Sequence, residues 1–510
     1  MRCLLVNPAY PQTYWSLTHM LPLVRRHWLV APLPLITVAA MLPSHWQLRL
    51  VDLAVEPLRD EDLAQADVVM LSGMLVQQDS LIEILARCRR LAVRTVVGGP
   101  LATAQPERLA AADHLVLGEA EEVLAELAGD LEAGRARRVY CEPRKPSLAR
   151  VPVPRYDLLR PGAYHYLAVQ FSRGCPFECE FCDIITLYGR VPRTKPAARL
   201  VAELDAIHAS GFAGRVMFVD DNFIGAKKAV RELLAEMIAW RERTGARLEF
   251  FTEASLDLAE QPEVARAMVE AGFRVVFIGV ETSRADSLRE TRKRQNLRGD
   301  PVERIRTLRR AGLDVWGGFI LGFDHDDASS FDEMIEFVQR AGIAYAMVGL
   351  LIALPGTPLH RRLAREGRLL PDDPTGDMFA PTNIVPRMPL ATLASGYARV
   401  LDVLYEPATY FARCLEHLRH YQPPPGAAPP TREELGVVLR SLWSQGVRGS
   451  YRRHYWRFLT TVARQEPTKL PLAIAQACAG HHFITYTRET ASPAVRAAQV
   501  PLPVRAAVAR

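Results

Sequence analysis

The sequence has no long apolar run and few cysteines. No stretch approaches about eighteen uninterrupted apolar residues, so no membrane-spanning helix is expected. Residues 1–9 contain one arginine and a four-residue apolar run closed by Asn7 and Pro8, which is typical of a first β-strand and not of a secretion signal. Five of the 8 cysteines stand singly, as expected for reduced thiols in a cytoplasm: Cys3, Cys88, Cys141, Cys414 and Cys478.

A strong excess of charge is also lacking. Lys and Arg number 63 against 57 Asp and Glu, a net charge of +6. Spread over 510 residues, this charge gives no reason to expect a nucleic-acid partner. With 49% hydrophobic residues, the chain is globular and long enough for two or three domains.

Residues 1–135 alternate short apolar runs with helical spacings. The runs lie at 3–7, 48–52, 68–72, 95–98 and 114–117, and they predict a doubly wound α/β domain with its ligand site at the carboxyl ends of the strands. No G-x-G-x-x-G or G-x4-G-K-[ST] phosphate motif occurs, so ordinary turns remain an alternative role for the glycines at these ends. The strand ends carry Asn7, Ser72, Gly73, Gly98, Gly99, Gly118 and Glu119.

Five prolines among basic residues at 136–164 predict a linker without regular elements. From 165 to about 370, strands predicted at 166–172, 215–220, 248–254, 274–280, 314–321 and 344–352 each precede a helical stretch. Repeated β/α units predict a parallel sheet that curls towards a barrel, with a site built by the loops after the strands. Carboxylates at the strand ends rarely lack a partner, so they are candidates to bind a ligand. Capping of the next helix is the alternative role.

Three cysteines fall within eight residues of one loop: Cys175, Cys179 and Cys182, in a C-x3-C-x2-C spacing. Three thiolates can each hold one iron of a [4Fe–4S] cluster and leave the fourth iron without a protein ligand. A structural zinc site is the alternative, but zinc needs a fourth ligand, and Cys141 lies 34 residues back.

With Phe181 before the third cysteine, this loop resembles the C-x3-C-x-aromatic-C signature of radical S-adenosylmethionine (SAM) enzymes. The resemblance implies that the open iron is chelated by SAM, and that one electron cleaves SAM to methionine and a 5'-deoxyadenosyl radical. That radical takes a hydrogen atom from an unactivated C–H bond. The implied SAM-binding residues are Phe181, Asp220, Asp221, Glu253 and Glu281, with Gly317 and Gly318 leaving room for the adenosyl group.

The strand order of residues 1–135, with Gly-Gly-Pro and then Gly-Glu, resembles the cobalamin-binding domain of cobalamin-dependent radical SAM enzymes. The D-x-H-x-x-G motif that supplies a histidine to cobalt elsewhere is missing, because Asp113 and His114 are adjacent. Cobalamin is therefore expected without a histidine ligand, and Leu75 is the candidate to keep water off cobalt. The implied cobalamin-binding residues are Asn7, Ser72, Gly73, Leu75, Gln77, Gly98, Gly99, Gly118 and Glu119.

The resemblance is strongest from 171 to 358 and is to the subgroup that includes the hopanoid methylases. It implies methylation of an unactivated carbon, with methylcobalamin as the methyl donor and a second SAM that restores it. The expected partners are a small-molecule or lipid substrate and a one-electron reductant such as flavodoxin or ferredoxin. The alternatives are a non-methylating rearrangement, cyclisation or coupling enzyme, and a non-catalytic cobalamin sensor, which the intact cysteine motif argues against.

After residue 370, helices alternate with proline-rich pieces at 422–426 and 429–430. A helix at 447–465 mixes arginines with aromatic residues, so it either lies on an acidic membrane surface or buries its aromatics and solvates its arginines. The single cysteines and the first strand favour a cytoplasmic protein, and this helix leaves peripheral contact at the inner membrane as the open alternative. The predicted α/β architecture is a Rossmann-like domain (1–135), a linker (136–164), a partial (β/α)6 barrel (165–370), a mainly helical domain (371–489) and a flexible tail (490–510).

Overall fold

The structure, a computed structural model, describes residues 1–212, 214–370, 376–424 and 431–491. Most of the predicted tail, from residue 492 onward, and residues 425–430 of the proline-rich stretch lie outside the described residues. No helix of the described part has the length and apolar character needed to cross a bilayer.

The N-terminal domain is a six-stranded parallel sheet in the order β3-β1-β4-β5-β6-β7. Along β1, Leu4 and Val6 pack in one hydrophobic cluster and Cys3 and Leu5 in another, because successive side chains of a strand point to opposite faces. Both faces of the sheet are therefore buried, as is usual for parallel strands. Its strands are β1 (Arg2–Asn7), β3 (Gln47–Asp52), β4 (Val68–Ser72), β5 (Arg94–Gly98), β6 (His114–Leu117) and β7 (Val139–Cys141), with β2 (Trp28–Val30) in the second sheet. Its helices are α1 (Leu21–Val24), α2 (Leu33–Met41), α3 (Asp60–Ala64), α4 (Gln78–Arg90), α5 (Pro100–Ala104) and α6 (Leu124–Glu132).

The central domain is a seven-stranded parallel sheet in the order β15-β14-β13-β12-β11-β8-β2. The six predicted barrel strands are present as β8 (Tyr164–Val169), β11 (Arg215–Phe218), β12 (Glu249–Ala254), β13 (Phe273–Glu281), β14 (Asp314–Leu321) and β15 (Ala346–Leu350). A two-stranded antiparallel ribbon, β9 (Ser172–Arg173) and β10 (Arg193–Thr194), follows β8. The helices are α7 (Ile184–Leu187), α8 (Ala197–Ala209), α9 (Lys227–Thr244), α10 (Pro262–Ala271), α11 (Ala285–Glu290), α12 (Pro301–Arg310), α13 (Ser330–Ala341) and α14 (Pro358–Arg365).

Two elements differ from the prediction. Residues 136–164 were expected to lack regular structure, but Val139–Cys141 forms β7 beside β6, before the prolines begin. The segment between β1 and α2 leaves the N-terminal domain, and its strand β2 extends the barrel sheet by pairing with β8. A three-residue strand is too short to show the period-two pattern from which strands are predicted.

The C-terminal helices cover one edge of the barrel sheet. The hydroxyl of Tyr397 donates to the carbonyl of Val348 at 3.0 Å, and that of Tyr405 donates to the carbonyl of Ala346, so they satisfy groups of the edge strand β15. Tyr14 of the N-terminal segment is fully buried among aromatic rings of these helices. The helices are α15 (Leu390–Leu404), α16 (Pro407–His420), α17 (Arg432–Ser441), α18 (Arg452–Gln465) and α19 (Leu470–Tyr486), with π-helical turns at Leu442–Val447 and Thr487–Ala491.

Candidate active site

The cysteine loop lies at the carboxyl end of the first barrel strand, β8. Ribbon strands β9 and β10 join its two ends, with Arg173 opposite Arg193. Cys179 is buried, Cys175 and Cys182 are half-buried, and all three are free thiols. Gly174, just before Cys175, has a φ of 94°, and an added Cβ would lie 2.9 Å from the carbonyl oxygen of Gly189, so only glycine fits this turn.

Asp220 and Asp221 hold this loop in place. Asp220 accepts hydrogen bonds from the backbone N–H groups of Phe171, at 3.0 Å, and Ser172. Asp221 accepts one from the backbone N–H of Gly174 at 2.7 Å. These bonds turn both carboxylates towards the loop backbone, whereas the sequence assigned both residues to SAM binding. Burial raises the pKa of Asp220 to about 6 and that of Asp221 to about 7, although the N–H donors oppose the rise.

A second clamp fixes the middle of the loop. The Glu180 carboxylate receives two hydrogen bonds from the Arg362 guanidinium on α14, at 2.8 and 3.1 Å. The backbone of Glu180 is bonded on both sides, because its N–H donates to the Thr291 carbonyl and its carbonyl accepts from Leu359. Bidentate pairing of this kind fixes orientation as well as position.

Polar donors and one cation surround the cysteine sulfurs. The Gln295 amide nitrogen lies 3.7 Å from Cys179 Sγ, and the Asn222 amide nitrogen lies 3.9 Å from Cys175 Sγ. Lys293 Nζ lies 2.5 Å from Glu281 Oε1 and 5.9 Å from the centre of the Phe181 ring. Burial alone would lower the pKa of Lys293, but Glu281 and Cys179 raise it above its ordinary value, so the cation is retained.

These residues fit an iron–sulfur cluster. Burial raises the pKa of Cys182 far above its ordinary value, and the nearby Asp183, Cys179 and Cys175 add to the rise, so three thiolates here require a cationic partner. Within the described ranges, no three His, Cys, Asp or Glu side chains converge on a single metal ion. A zinc site needs several ligands around one ion, whereas cluster ligands each bind a different iron.

Glu253 faces the barrel interior without a partner. The register pairs Glu253 with Phe277, and Phe277 with Trp316, so the three side chains lie on one side of the sheet, the side covered by Trp15. The Glu253 carboxylate has no hydrogen-bond or ion-pair partner in the part of the chain that is described. Burial, and then the nearby Asp221, raise its pKa to about 7.

The interior of the barrel is closed by stacked aromatic rings. The rings of Trp316 and Tyr345 stack at 4.3 Å, and Phe251 contacts Trp316 at 5.0 Å. An added Cβ at Gly318 would lie 2.7 Å from the Phe277 ring, and one at Gly317 would lie 2.8 Å from the Phe319 ring. The chain's own rings therefore fill the Cβ side of both glycines, and their role beside an adenosyl group stays a prediction.

The carboxyl ends of β4, β5 and β6 form the predicted cobalamin edge. Gly99 has a φ of 90° and Gly118 a φ of 79°, and an added Cβ at Gly99 would lie 2.6 Å from Ser72 Oγ. Gly73 and Gly98 are packed as well, with an added Cβ 2.8 Å from Leu81 and 3.6 Å from Val116 respectively. These glycines bring bare backbone to the edge, as close approach of a large ligand requires.

Two residues predicted to bind cobalamin form hydrogen bonds within the domain instead. Asn7 donates to Asp52 at 3.0 Å, and Gln77 donates to the carbonyl of Pro8 at 2.7 Å. Both side chains are buried, so these contacts use groups that the sequence assigned to the ligand. Leu75, the candidate for the lower face of cobalamin, is half-buried and lies close to Gly376, where an added Cβ would be 2.9 Å away.

Glu119 joins the two domains. Its carboxylate lies 2.7 Å from a guanidinium nitrogen of Arg193 and 2.8 Å from one of Arg173, which are the two ribbon residues of the cysteine loop. The sequence assigned Glu119 to cobalamin, but in this structure both of its oxygens bind arginines. His114 begins β6, at the opposite end of that strand from Glu119, and its ring bonds the carbonyl of Arg137 at 2.6 Å.

Comparison with known proteins agrees with this arrangement. Models of the radical SAM superfamily and the B12-binding domain match residues 169–338 and 27–128, and a domain of unknown function, DUF4070, matches 357–494. An uncharacterised methyltransferase of Synechocystis sp. is 39% identical and covers 95% of this chain and 92% of its own length. The hopanoid C-2 methylase of Rhodopseudomonas palustris is 34% identical and covers 96% and 94%. The chain belongs to the cobalamin-dependent radical SAM enzymes.

Solved structures show the same fold. The radical SAM methyltransferase TsrM of Kitasatospora setae, solved with cobalamin and a [4Fe–4S] cluster, has a TM-score of 0.60 at 17% identity and covers 90% of this chain and 99% of its own. The enzyme OxsB, solved with aqua-cobalamin and SAM, has a TM-score of 0.62 at 14% identity, with coverages of 96% and 84%. The cofactors of this enzyme are a [4Fe–4S] cluster, SAM and cobalamin.

The sequence did not reveal several residues of the site. Lys293 stands in the basic run 292–294, which is typical of a solvated surface. Gln295 carried no signal for a contact with a sulfur, and Arg193 lies 74 residues from Glu119. The one signal for Asn222 was its place directly after two carboxylates at a strand end.

Proposed function

We propose that this enzyme methylates an unactivated carbon of a small-molecule substrate. Each turnover replaces one hydrogen of a C–H bond by a methyl group and consumes two molecules of SAM. One SAM leaves as S-adenosylhomocysteine, and the other leaves as methionine and 5'-deoxyadenosine. The two electrons required come from an external one-electron reductant such as flavodoxin or ferredoxin.

The observation that carries the proposal is the contact between the two cofactor domains. Glu119, from the strand end of the cobalamin edge, binds Arg173 and Arg193 at the two ends of the cysteine loop. A substrate bound between these domains has the cysteine loop on one side and the glycine edge on the other. When bound, the cofactors supply SAM cleavage, removal of a hydrogen atom from carbon and delivery of a methyl group.

The chain's own residues orient the reactants. Cys175, Cys179 and Cys182 would hold the cluster, while the amide N–H groups of Gln295 and Asn222 point at its sulfurs and stabilise their negative charge. The side chains left to contact SAM are Glu253, Phe181 and the Lys293–Glu281 pair. Glu253 is the carboxylate without a partner, so a cationic group such as the SAM amino group would satisfy it. The aromatic rings below it exclude water from the site.

We propose a lipid, with a hopanoid as the leading example, as the substrate. The support is the similarity to the hopanoid C-2 methylase over almost the full length of both chains. The bacteriochlorophyllide methyltransferases of Chlorobaculum tepidum are also similar, at 26% and 23% identity, but over 65% and 60% of this chain. Because a lipid substrate resides in a membrane, this proposal includes peripheral contact of the enzyme with a membrane.

Product analysis tests the reaction. We expect anaerobically purified protein, supplied with substrate, SAM and reductant, to release S-adenosylhomocysteine and 5'-deoxyadenosine in equal amounts. Deoxyadenosine without S-adenosylhomocysteine would instead establish the rearrangement, cyclisation or coupling alternative. Cys179→Ala should release neither product, while Cys478→Ala, a buried cysteine of α19, should retain both.

A further inference from the structure

A row of exposed apolar side chains runs along one side of the continuous helical segment formed by α17 and the π-helical turn after it. The spacing is four residues, and Ser441 and Gln445 on the opposite side of the segment are fully buried. The indole N–H of Trp456 donates to the carbonyl of Gly446 at 2.9 Å, which places a second indole beside the turn. We call these five residues the docking face: Leu435 (50% exposed), Leu439 (67%), Trp443 (59%), Val447 (51%) and Trp456 (42%).

The docking face is held rigidly by the rest of the molecule. Arg440 donates to the carbonyl of Leu23 at 2.6 Å, and Glu433 pairs with Arg26 of the N-terminal segment. Ser441 contacts the hydroxyl of Tyr455 on α18 at 2.9 Å. The helical segment that carries most of the docking face is therefore anchored to the rest of the molecule. Two exposed tryptophans in one such group are uncommon on a soluble surface without a partner.

Arginines without ion-pair partners lie close in sequence to the docking face. Residues 435–465 contain no Asp or Glu but six arginines: Arg440, Arg448, Arg452, Arg453, Arg457 and Arg464. Five of them, all except the half-buried Arg440, are exposed, and none of the five has an ion-pair partner in the described chain. The helix α18 buries Tyr455 and Phe458, so the apolar contribution comes from the docking face and the charge from the arginines of α18.

We propose that the docking face binds the surface of an anionic lipid bilayer. Tryptophans and leucines next to exposed arginines match the boundary between the acyl region and acidic headgroups. A second copy of the chain fits less well, because a two-fold interface would bring the same unpaired arginines against each other. Nucleic acid would match the arginines but would leave Leu435, Leu439 and Val447 without apolar contacts.

Vesicle flotation of the full-length enzyme tests this proposal. We expect the enzyme to float with vesicles of phosphatidylglycerol and phosphatidylcholine, and to bind far less to vesicles of phosphatidylcholine alone. Raising the salt concentration should release it, since added salt screens the attraction between arginines and acidic headgroups. On binding, the tryptophan fluorescence should shift to shorter wavelength as Trp443 and Trp456 leave water.

Two sets of variants separate the apolar and charged parts. Leu439→Ser with Trp443→Ser should weaken vesicle binding by about tenfold for each side chain. Arg452→Gln with Arg453→Gln and Arg457→Gln should weaken it by about two orders of magnitude in total. The matched controls are Ile82→Ser, an exposed apolar residue of α4, and the exposed arginines Arg243, Arg247 and Arg266 changed to Gln; both should bind like the wild type.

Three outcomes would overturn the proposal: no flotation with anionic vesicles at low salt, equal binding to neutral vesicles, or unchanged binding by both sets of variants. Sedimentation velocity tests whether the docking face instead joins two copies of the chain. A dimer that Leu439→Ser with Trp443→Ser converts to monomer, without vesicle binding by the wild type, would make the docking face a protein interface. Methylation assayed on detergent-solubilised substrate is independent of all these results, so failure of docking leaves the proposed reaction standing.

Discussion

At the residue scale, the site depends on buried charges whose partners are distant in sequence. Lys293 lies between two exposed arginines, Arg292 and Arg294, yet its side chain is 12% exposed and pairs with Glu281. Glu281 itself has a φ of 65°, an uncommon conformation for a residue with a side chain. The strand end therefore holds Glu281 in a strained backbone conformation while its carboxylate pairs with the lysine.

Lys293→Met should destabilise the protein strongly. It leaves the Glu281 carboxylate buried and unpaired, which costs about 3–5 kcal/mol, so the thermal midpoint should fall by several degrees. Thermal unfolding followed by circular dichroism measures this. Arg294→Met, one residue further on and exposed, is the matched control and should change little. Adding Glu281→Gln to Lys293→Met should recover part of the loss, and no recovery would contradict the pairing.

The unpaired Glu253 makes stability depend on pH. Its pKa is raised from 4.5 to about 7, so the native state keeps a proton that the unfolded chain has lost. Stability of the SAM-free protein should therefore fall as pH rises from about 4.5 through about 7. Glu253→Gln should remove part of this fall: near pH 8 the variant should be more stable than the wild type by about 1–3 kcal/mol, and near pH 5 the two should be similar.

The same variant should bind SAM more weakly, because a charged hydrogen bond contributes about 1.5–3 kcal/mol. Denaturant unfolding at the two pH values and equilibrium binding of SAM measure the two effects. Glu242→Gln, on the exposed side of α9, should alter neither. A variant that is less stable at high pH and binds SAM normally would show that Glu253 is already satisfied.

At the element scale, the sequence predicts what is periodic and misses what is short. All six barrel strands were predicted because each is an apolar run followed by a helical spacing. Strands β2 and β7 have three residues each, too few for a pattern, and both are fixed by a neighbouring strand. The same holds for site residues. The cysteines were predictable because their spacing is local, whereas the partners of Asp220, Glu119 and Lys293 were not, because tertiary packing sets them.

Strand β15 is protected at its edge by helix α15 and the residue that caps its end. The hydroxyls of Tyr397 and Tyr405 donate hydrogen bonds to the carbonyls of Val348 and Ala346, which lie two residues apart on that strand. Tyr397→Phe and Tyr405→Phe should each leave a buried carbonyl without its donor, at about 1–3 kcal/mol. The matched control is Tyr421→Phe, since the Tyr421 hydroxyl makes no hydrogen bond to a described residue. Urea unfolding measures the changes, and equal midpoints for all three variants would contradict the role of the edge.

At the scale of the whole molecule, three parts of the chain share one core. The N-terminal segment supplies β2 to the barrel and Tyr14 to the C-terminal helices, and its Leu23 carbonyl accepts from Arg440. The cobalamin domain is joined to the barrel at the site itself, through Glu119. Domain order was predictable from motifs, but these contacts were not, because buried ion pairs between domains leave no periodic signal.

The Glu119 contact should control how tightly the two domains are held together. Glu119→Ala leaves the guanidinium of Arg193 without its buried carboxylate, and it leaves Arg173 with the Glu121 carboxylate and the Gln170 amide oxygen. Arg193 also bonds the carbonyl of Pro146 in the connection between the domains, at 2.7 Å, so this connection should loosen. Trypsin should then cut at the exposed Arg144 and Arg150 about tenfold faster or more, since cleavage follows the population of the opened form. Mass spectrometry of the fragments locates the cuts.

The control variant is Glu122→Ala, three residues on and exposed, which should be cut at the wild-type rate. The difference should persist at high salt, because buried pairs are screened little, and equal cutting rates for Glu119→Ala and Glu122→Ala would show that the domains are held together elsewhere.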